Sequence, residues 1–455
     1  MTEYSESAVT DGPAVPAGLI LFVLHPEYGA NNASFRLARL LTERGHRVLY
    51  LASPKIAEHI RRQGFTCECL CLWWQHDSDA RERRRELTKG KTGLRKFTVA
   101  ARHDLSYHHS AMDQLRGWLK GQKLSVAVID PLIWGVCGPL VEEGVSLIAF
   151  SNTMASTIEL TAPPVSEPIQ PVSPRMPIEK LQSALAWLRP FLVTARTMRR
   201  ALAHAIVAPR PWHADYNTVA LIRRHGLRFG VSEYGPRLRL PELVAAPEAL
   251  EFPFSGNLKK RIYLGDCVEM SRSDGGFDWT GIDLTKPLVY CSLGSYSEWY
   301  AHSGRLFTSV IEAFRDRPEW QVLLQVGHAN LASYAAVPPN VRVAAWVPQL
   351  EVLSKSRVFI THGGLGSLRE AFHFAVPMIL CPCNVDQPGN AARAAFHGIG
   401  IVGDVANMNA TTMRALFERL MAMDSASNYQ RLHQRERNRD GYAEAADLIV
   451  SRATR

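Results

Sequence analysis

Apolar residues in this chain come in short continuous runs separated by amphipathic stretches. The first run, residues 19–24, ends in a Pro/Gly turn. Phe35, Leu37, Leu40 and Leu41 then recur with charges between them, Gly45 follows, and Val48, Leu49 and Tyr50 open a second run. A strand buried on both faces reads as an unbroken apolar run, and a glycine is the usual stop signal of a helix. The order is therefore strand, helix, strand, the unit of a parallel sheet. The pattern returns at 126–129, where the run ends in Asp130, and at 146–150, with a further strand expected at 205–208.

A second series begins near Pro287, with apolar runs at 288–293, 321–325, 341–344, 358–361 and 377–380. Two consecutive series of this kind predict an α/β chain of two doubly wound, Rossmann-like domains. The polar, Gly-rich stretch SRSDGGFDWTG marks the junction within 255–285. The expected division is a flexible tail over 1–17, one domain over 18–270 and a second over 271–455. The segment 161–177 holds six prolines and reads as a surface loop.

Composition narrows the class. The chain has 455 residues, 46% of them hydrophobic, which suits a globular core and excludes a largely disordered protein. Its 52 basic and 43 acidic residues leave a net +9, a mild excess that suits an acidic ligand such as a nucleotide and does not demand nucleic acid or membrane. The eight cysteines make no disulfide framework. Cys67, Cys69 and Cys71 alternate along a strand-like stretch and lack zinc spacing, so they read as idle thiols in a reducing compartment. The N-terminus lacks a signal-peptide pattern, and no apolar run approaches the ~18 residues needed to span a bilayer, so a cytoplasmic location is expected. Residues 79–103 carry Arg81, Arg83, Arg84, Arg85, Lys89, Lys91, Arg95 and Lys96. A solvated helix face explains that run, and peripheral contact with an anionic membrane is the functional alternative; aromatics are not interleaved, which argues against nucleic acid.

The chemistry concentrates in residues 346–400, WVPQLEVLSKSRVFITHGGLGSLREAFHFAVPMILCPCNVDQPGNAARAAFHGIG. A strand runs into His362-Gly363-Gly364 and then a helix. Glycines at such a turn let a phosphate approach the backbone N–H groups of a helix N-terminus. Gly363, Ser367 and Glu370 share one helical face, and Glu370 lies about 10 Å along it, a distance suited to ribose hydroxyls.

The block as a whole, with WVPQ, THGGxGSxxE and DQPGNA, closely resembles the nucleotide-sugar signature of UDP-glycosyltransferases with the GT-B fold, which include plant glucosyltransferases, bacterial macrolide glycosyltransferases and zeaxanthin glucosyltransferase. The loop CSLGS (291–295) and the start of the chain extend the likeness more loosely. The resemblance implies that Trp346 stacks on the base, that Val347 offers its backbone to the base edge, and that Gln349 and Glu370 bind the ribose. Ser295, His362, Gly364 and Ser367 correspond to diphosphate contacts, and Asp386 and Gln387 to the pair that holds the donor sugar. Gly366 stands where many plant members have Asn. The N-terminal domain is expected to bind the acceptor, the C-terminal domain the donor, and the last helix to pack back on the N-terminal domain. No metal and no cofactor beyond the UDP-sugar co-substrate is implied.

The likeness breaks at the base. The family deprotonates its acceptor with a His just after the first strand, oriented by an Asp on a later strand. Here the turn reads HPEYGANNAS and aligns Ala30 with that His, while Asp130 stands where the Asp is expected. Asp130 acting directly or with His25, an acidic acceptor needing little help, a displaced His, and a catalytically weak auxiliary homologue of another glycosyltransferase are the open explanations. His103, His108 and His109 are further cleft candidates.

The function expected is inverting transfer of a hexose from a nucleotide sugar, UDP favoured over dTDP, to a lipophilic small molecule. Leu72, Trp73, Trp74, Trp134, Met154, Trp187, Leu188, Phe191 and Leu192 are either core or an apolar acceptor pocket, with RPFLVTARTMRRAL (189–202) as a lid or membrane-facing surface.

Overall fold

The computed structural model describes residues 18–453 except 155–157, 159–161, 172–176, 189–190, 193–220, 254, 256–260, 296, 298–299, 329–330 and 335. The tail 1–17, the strand expected at 205–208 and most of the expected lid therefore lie outside the described residues. Among the described residues fifteen strands follow in chain order. They are β1 (Leu19–Val23), β2 (Arg47–Ala52), β3 (Thr66–Cys69), β4 (Leu124–Ile129), β5 (Ser146–Ser151), β6 (Phe229–Ser232), β7 (Gly235–Leu238), β8 (Glu242–Val244) and β9 (Ile262–Tyr263). Then come β10 (Leu288–Ser292), β11 (Gln321–Gln325), β12 (Val341–Ala344), β13 (Ser356–Thr361), β14 (Met378–Leu380) and β15 (Gly400–Val402).

They form two parallel sheets, ordered β3-β2-β1-β4-β5-β8-β9 and β12-β11-β10-β13-β14-β15, with β6 and β7 as a separate antiparallel hairpin. In each sheet the chain reverses its direction of travel beside the first strand of the series, at β1/β4 and at β10/β13. Ligands of open parallel sheets bind beyond the carboxyl ends of the strands at that switch point. His25 follows β1, Asp130 follows β4, Ser295 follows β10 and His362 follows β13. The topology thus sets the residues singled out in the sequence at two facing switch points.

The continuous apolar runs are explained by burial on both faces. Ile20 and Phe22 enter one hydrophobic cluster and Leu21 and Val23 the opposite one. Leu288 and Tyr290 divide from Val289 and Cys291 in the same way. The helix Phe35–Glu43 buries Leu37, Ala38 and Leu41 against β1, and Gly45, at φ 85°, turns the chain back into β2. The final helix, Gly441–Ala453, inserts Tyr442, Ala445, Ala446 and Ile449 into the cluster on the first sheet. The two halves also share a core, in which Met154, Val165 and Leu250 meet Val347, Leu365 and Ala391. A fully buried ion pair, Arg393 to Glu251 at 2.6 Å, crosses the same interface.

All eight cysteines are free thiols, with Cys67 buried on β3 and Cys69 exposed. The basic segment forms the helix Ser78–Thr88, whose Arg81, Arg83 and Arg85 are solvated while Arg84 bonds Asp104 at 2.7 Å. Among the described residues no helix is long and apolar enough to cross a membrane. Pro177, expected in a loop, instead opens the helix Pro177–Ala186.

Candidate active site between the two sheets

One cavity of about 360 Å³ lies between the sheets, lined from both. His25, Glu27, Tyr28, Ala30 and Asp130 form one wall; Ser295, Trp346, Val347, Gln349, His362, Gly364, Ser367, Glu370, Asp386 and Gln387 form the other. Every residue expected to contact the donor, together with Asp130 and His25, therefore lines this cavity.

The end of the cavity at His362 and Gly364 is built on close approach. β13 ends at Thr361, and Gly363 (φ 79°) and Gly364 lead into the helix Leu365–His373, whose first turn has no side-chain cap. The Leu365 N–H faces the Asp386 carboxylate, and the rest of the first turn and the helix dipole can meet an anion. A Cβ on Gly294 would come within 2.8 Å of the His362 ring, and one on Gly364 within 2.6 Å of Nε2. Only glycine fits at both positions. Burial lowers the His362 pKa to about 4, so the ring is neutral at pH 7 and acts as a hydrogen-bond group, not a cation. At Gly366 a Cβ would meet only ordinary contacts at 3.8 and 4.0 Å, so space does not demand glycine there.

A second end is marked by Trp346, 46% exposed, whose ring lies 6.3 Å from that of Tyr28 across the cavity. The Val347 side chain is buried in the shared core, leaving its backbone at the cavity wall. Gln349 Nε2 donates to Glu370 Oε2 at 2.6 Å. Arg272 Nη1 donates to Glu370 Oε1 at 2.7 Å, and with Gln349 it holds the Glu370 carboxylate below its ordinary range in spite of burial.

At the third end, Asp386 accepts from Asn390 Nδ2 at 2.9 Å, and burial pushes its pKa up to about 6. Gln387 is engaged on both sides of its amide. Its oxygen accepts from the N–H groups of Cys383 (2.8 Å) and Asn384 (3.0 Å), and its nitrogen donates to the Tyr300 hydroxyl at 3.2 Å.

On the opposite wall Ala30 puts a methyl, and the histidines there are His25 and His59. Asp130 is 4% exposed and accepts from the Leu132 N–H at 2.9 Å. Burial raises its pKa, opposed by that N–H and by the nearby His25. His25 Nδ1 lies 3.5 Å from Glu27 Oε1. Asn31, buried, fixes this turn by donating to the His25 carbonyl (3.0 Å) and the Glu27 carbonyl (2.8 Å).

Other candidates do not gather here. Leu72 and Met154 are core residues, Trp187 is buried and donates to the Ala162 carbonyl, and Leu188, Phe191 and Leu192 are exposed away from the cavity. The side chains of Trp74 and Trp134 lie outside those described. His103, His108 and His109 sit on the helix Gly93–Leu119, off the cavity wall. Among the described residues no three His, Cys, Asp or Glu side chains converge as a metal site. Glu27, Tyr28, Arg272, Asp274 and Tyr300 line the cavity without having been read from the sequence. Glu27 and Tyr28 stood in the right turn, but Arg272 and Asp274 stood in what reads as a plain polar linker.

Comparison with known proteins agrees with this geometry. Residues 317–439 match the family described as erythromycin biosynthesis protein CIII-like, C-terminal domain. The chain is thus similar to macrolide-type glycosyltransferases of GT-B fold. It is 32% identical over 213 residues to an oleandomycin glycosyltransferase of Streptomyces antibioticus, a match that covers 46% of this chain and spans 48% of that relative. With the NDP-glycosyltransferase YjiC of Bacillus subtilis it is 24% identical over 396 residues, covering 83% and 82% of the two chains. A glycotransferase of kitacinnamycin superposes with TM-score 0.67 at 23% identity, over 96% of this chain and 99% of that one, a likeness of fold. The two parallel sheets described above correspond to the GT-B pair, and the cavity lies where they face each other.

Proposed function

We propose that this protein is an inverting glycosyltransferase that moves a hexose from a UDP-sugar to a lipophilic small-molecule acceptor. The observation that carries the reading is the single cavity lined by the whole donor set on one wall and by Asp130 and His25 on the other. In this reading residues 271–455 hold the donor and 18–270 the acceptor. Trp346 stacks on the base, Gln349 and Glu370 take the ribose hydroxyls, and Ser295, His362, Gly364 and Ser367 take the diphosphate. Asp386 and Gln387 take the sugar. Glu370 supports UDP over a deoxyribose donor, because a buried carboxylate left without its hydroxyl costs about 1–3 kcal/mol.

The acceptor oxygen attacks the anomeric carbon from the face opposite the diphosphate. Its proton passes to His25, supported by Asp130, or to Asp130 itself, as the bond to the diphosphate oxygen breaks and the nucleoside diphosphate leaves with the electron pair. The uncapped helix N-terminus and the neutral His362 N–H stabilise the charge that develops there. Peripheral membrane contact through Arg81, Arg83 and Arg85, in a cytoplasmic setting, remains part of the proposal and is checked by liposome sedimentation with these three neutralised.

A second reading, an auxiliary nucleotide-binding partner of another glycosyltransferase, is favoured by one observation, the alanine at position 30. Release of nucleoside diphosphate from UDP-glucose and dTDP-glucose with a panel of lipophilic acceptors separates the two. Acceptor-dependent release supports the enzyme; tight UDP binding with no release from either donor supports the auxiliary protein.

A further inference from the structure

The segment joining the two sheets enters the nucleotide end of the cavity. Arg272, with a side chain only 4% exposed, places its guanidinium between Glu370 Oε1 at 2.7 Å and the Asp274 carboxylate at 2.6–2.9 Å. With Gln349 at Oε2, each oxygen of Glu370 has one donor fixed, and each keeps a lone pair for another. The same segment reaches the base platform, where Trp346 Nε1 donates to the Asp274 carbonyl at 3.4 Å.

The segment is also clamped from the other half of the molecule. Gln63, beyond the helix Pro54–Arg62 and away from the cavity wall, donates from Nε2 to the Ser273 carbonyl at 3.0 Å and accepts from the Ser273 N–H at 2.8 Å. A two-point amide clamp of this kind sets the direction of the neighbouring Arg272 side chain. An unpaired carboxylate in a buried site would protonate or rotate; the charged bond from Arg272 Nη1 at one oxygen and the Gln349 amide at the other hold it ionised and in one plane, while the Arg272 fork itself rests on Asp274.

We propose that Arg272 is a positioning residue for nucleoside recognition: it orients the Glu370 carboxylate so that its remaining lone pairs meet the ribose diol, and thereby sets the preference for ribose over 2′-deoxyribose. This rests on the nucleotide-sugar reading of the cavity. Gln63 acts on the same preference from a distance, through Ser273.

The test is calorimetric binding of UDP and of 2′-deoxy-UDP to the full chain. Wild type is expected to favour UDP about tenfold, the weight of one hydrogen bond to a charged group. Arg272→Ala and Arg272→Lys are expected to bring the ratio to about twofold, with the loss falling mainly on UDP. Gln63→Ala is expected to lower the ratio part-way, and it keeps the question open to test should the Arg272 variants fail to fold. A ratio unchanged in a folded Arg272 or Gln63 variant overturns the inference. Failure of wild type to bind either nucleotide overturns instead the nucleotide-sugar reading on which it rests.

Discussion

Arg369 Nη2 donates to the Gly29 carbonyl at 2.7 Å. The donor comes from the helix that follows His362-Gly363-Gly364, and the acceptor belongs to the turn that carries Ala30. Arg369 is 1% exposed, and its Nη1 also reaches Asn152 Oδ1 (3.1 Å) and the Ala245 carbonyl (3.2 Å). One side chain of the second sheet thus satisfies three groups of the first, and the two walls of the cavity are registered through it.

Replacing Arg369 by Ala leaves those acceptors buried without a donor. The expected loss of stability is about 3 kcal/mol in urea unfolding, and Arg369→Lys recovers little of it because an ammonium cannot span the same fork. A loss below ~1 kcal/mol would show that the strut is dispensable.

Much of this architecture was legible in the chain because it is local. The strands at 19–24, 126–129 and 288–293 announce themselves through unbroken apolar runs, and burial on both faces is the cause. Most residues of the second wall were legible because one stretch of chain, 346–387, carries them, with Ser295 added from the end of β10. What was missed depends on chain segments meeting in space. Arg272 gains meaning only beside Glu370, 98 residues on, and Tyr300 only beside Gln387, 87 residues on. The strands β8, β9 and β15 have three, two and three residues, too few for periodicity to register. The apolar residues left open between core and acceptor pocket divide only in space: Leu72 and Met154 are core, and composition does not distinguish core from pocket.

Gly389 lies against the chain of the other half, donating its N–H to the Val165 carbonyl at 2.8 Å, and a Cβ there would overlap that carbonyl. Gly389→Ala is expected to cost about 1–3 kcal/mol of stability and to weaken donor-sugar binding, since the residue sits on the helix that opens with Gln387. Thermal unfolding with and without UDP-glucose reads both effects.

Asp386→Ala is expected to lower affinity for UDP-glucose at least tenfold while free UDP binds within about twofold of wild type, the weight of a sugar contact absent from the nucleotide. Equal loss for both ligands would remove Asp386 from the sugar site.

Burial holds His59, His362 and His397 neutral, with pKa values lowered from 6.5 to about 4. The unfolded chain therefore binds more protons at these sites between pH 6.5 and 4, and their effect is to lose stability as pH falls through that window. Asp386, raised from 3.8 to about 6, works in the opposite sense over nearly the same range. His397 lies off the cavity and bonds the Leu250 and Glu251 carbonyls at 3.2 Å. His397→Gln, which retains a donor, should flatten the pH dependence of unfolding free energy between pH 6.5 and 4 by up to one proton. An unchanged slope would contradict a buried neutral imidazole.

The central claim is that Asp130, with His25, has taken over proton removal from the residue lost at position 30. Acceptor-dependent release of nucleoside diphosphate from UDP-glucose, compared in wild type, Asp130→Asn and His25→Ala, tests it most directly, with UDP affinity measured alongside. The account predicts a fall of about 100-fold or more for Asp130→Asn at unchanged UDP affinity, and a smaller fall with an altered pH profile for His25→Ala. Turnover by Asp130→Asn within a few-fold of wild type would contradict it.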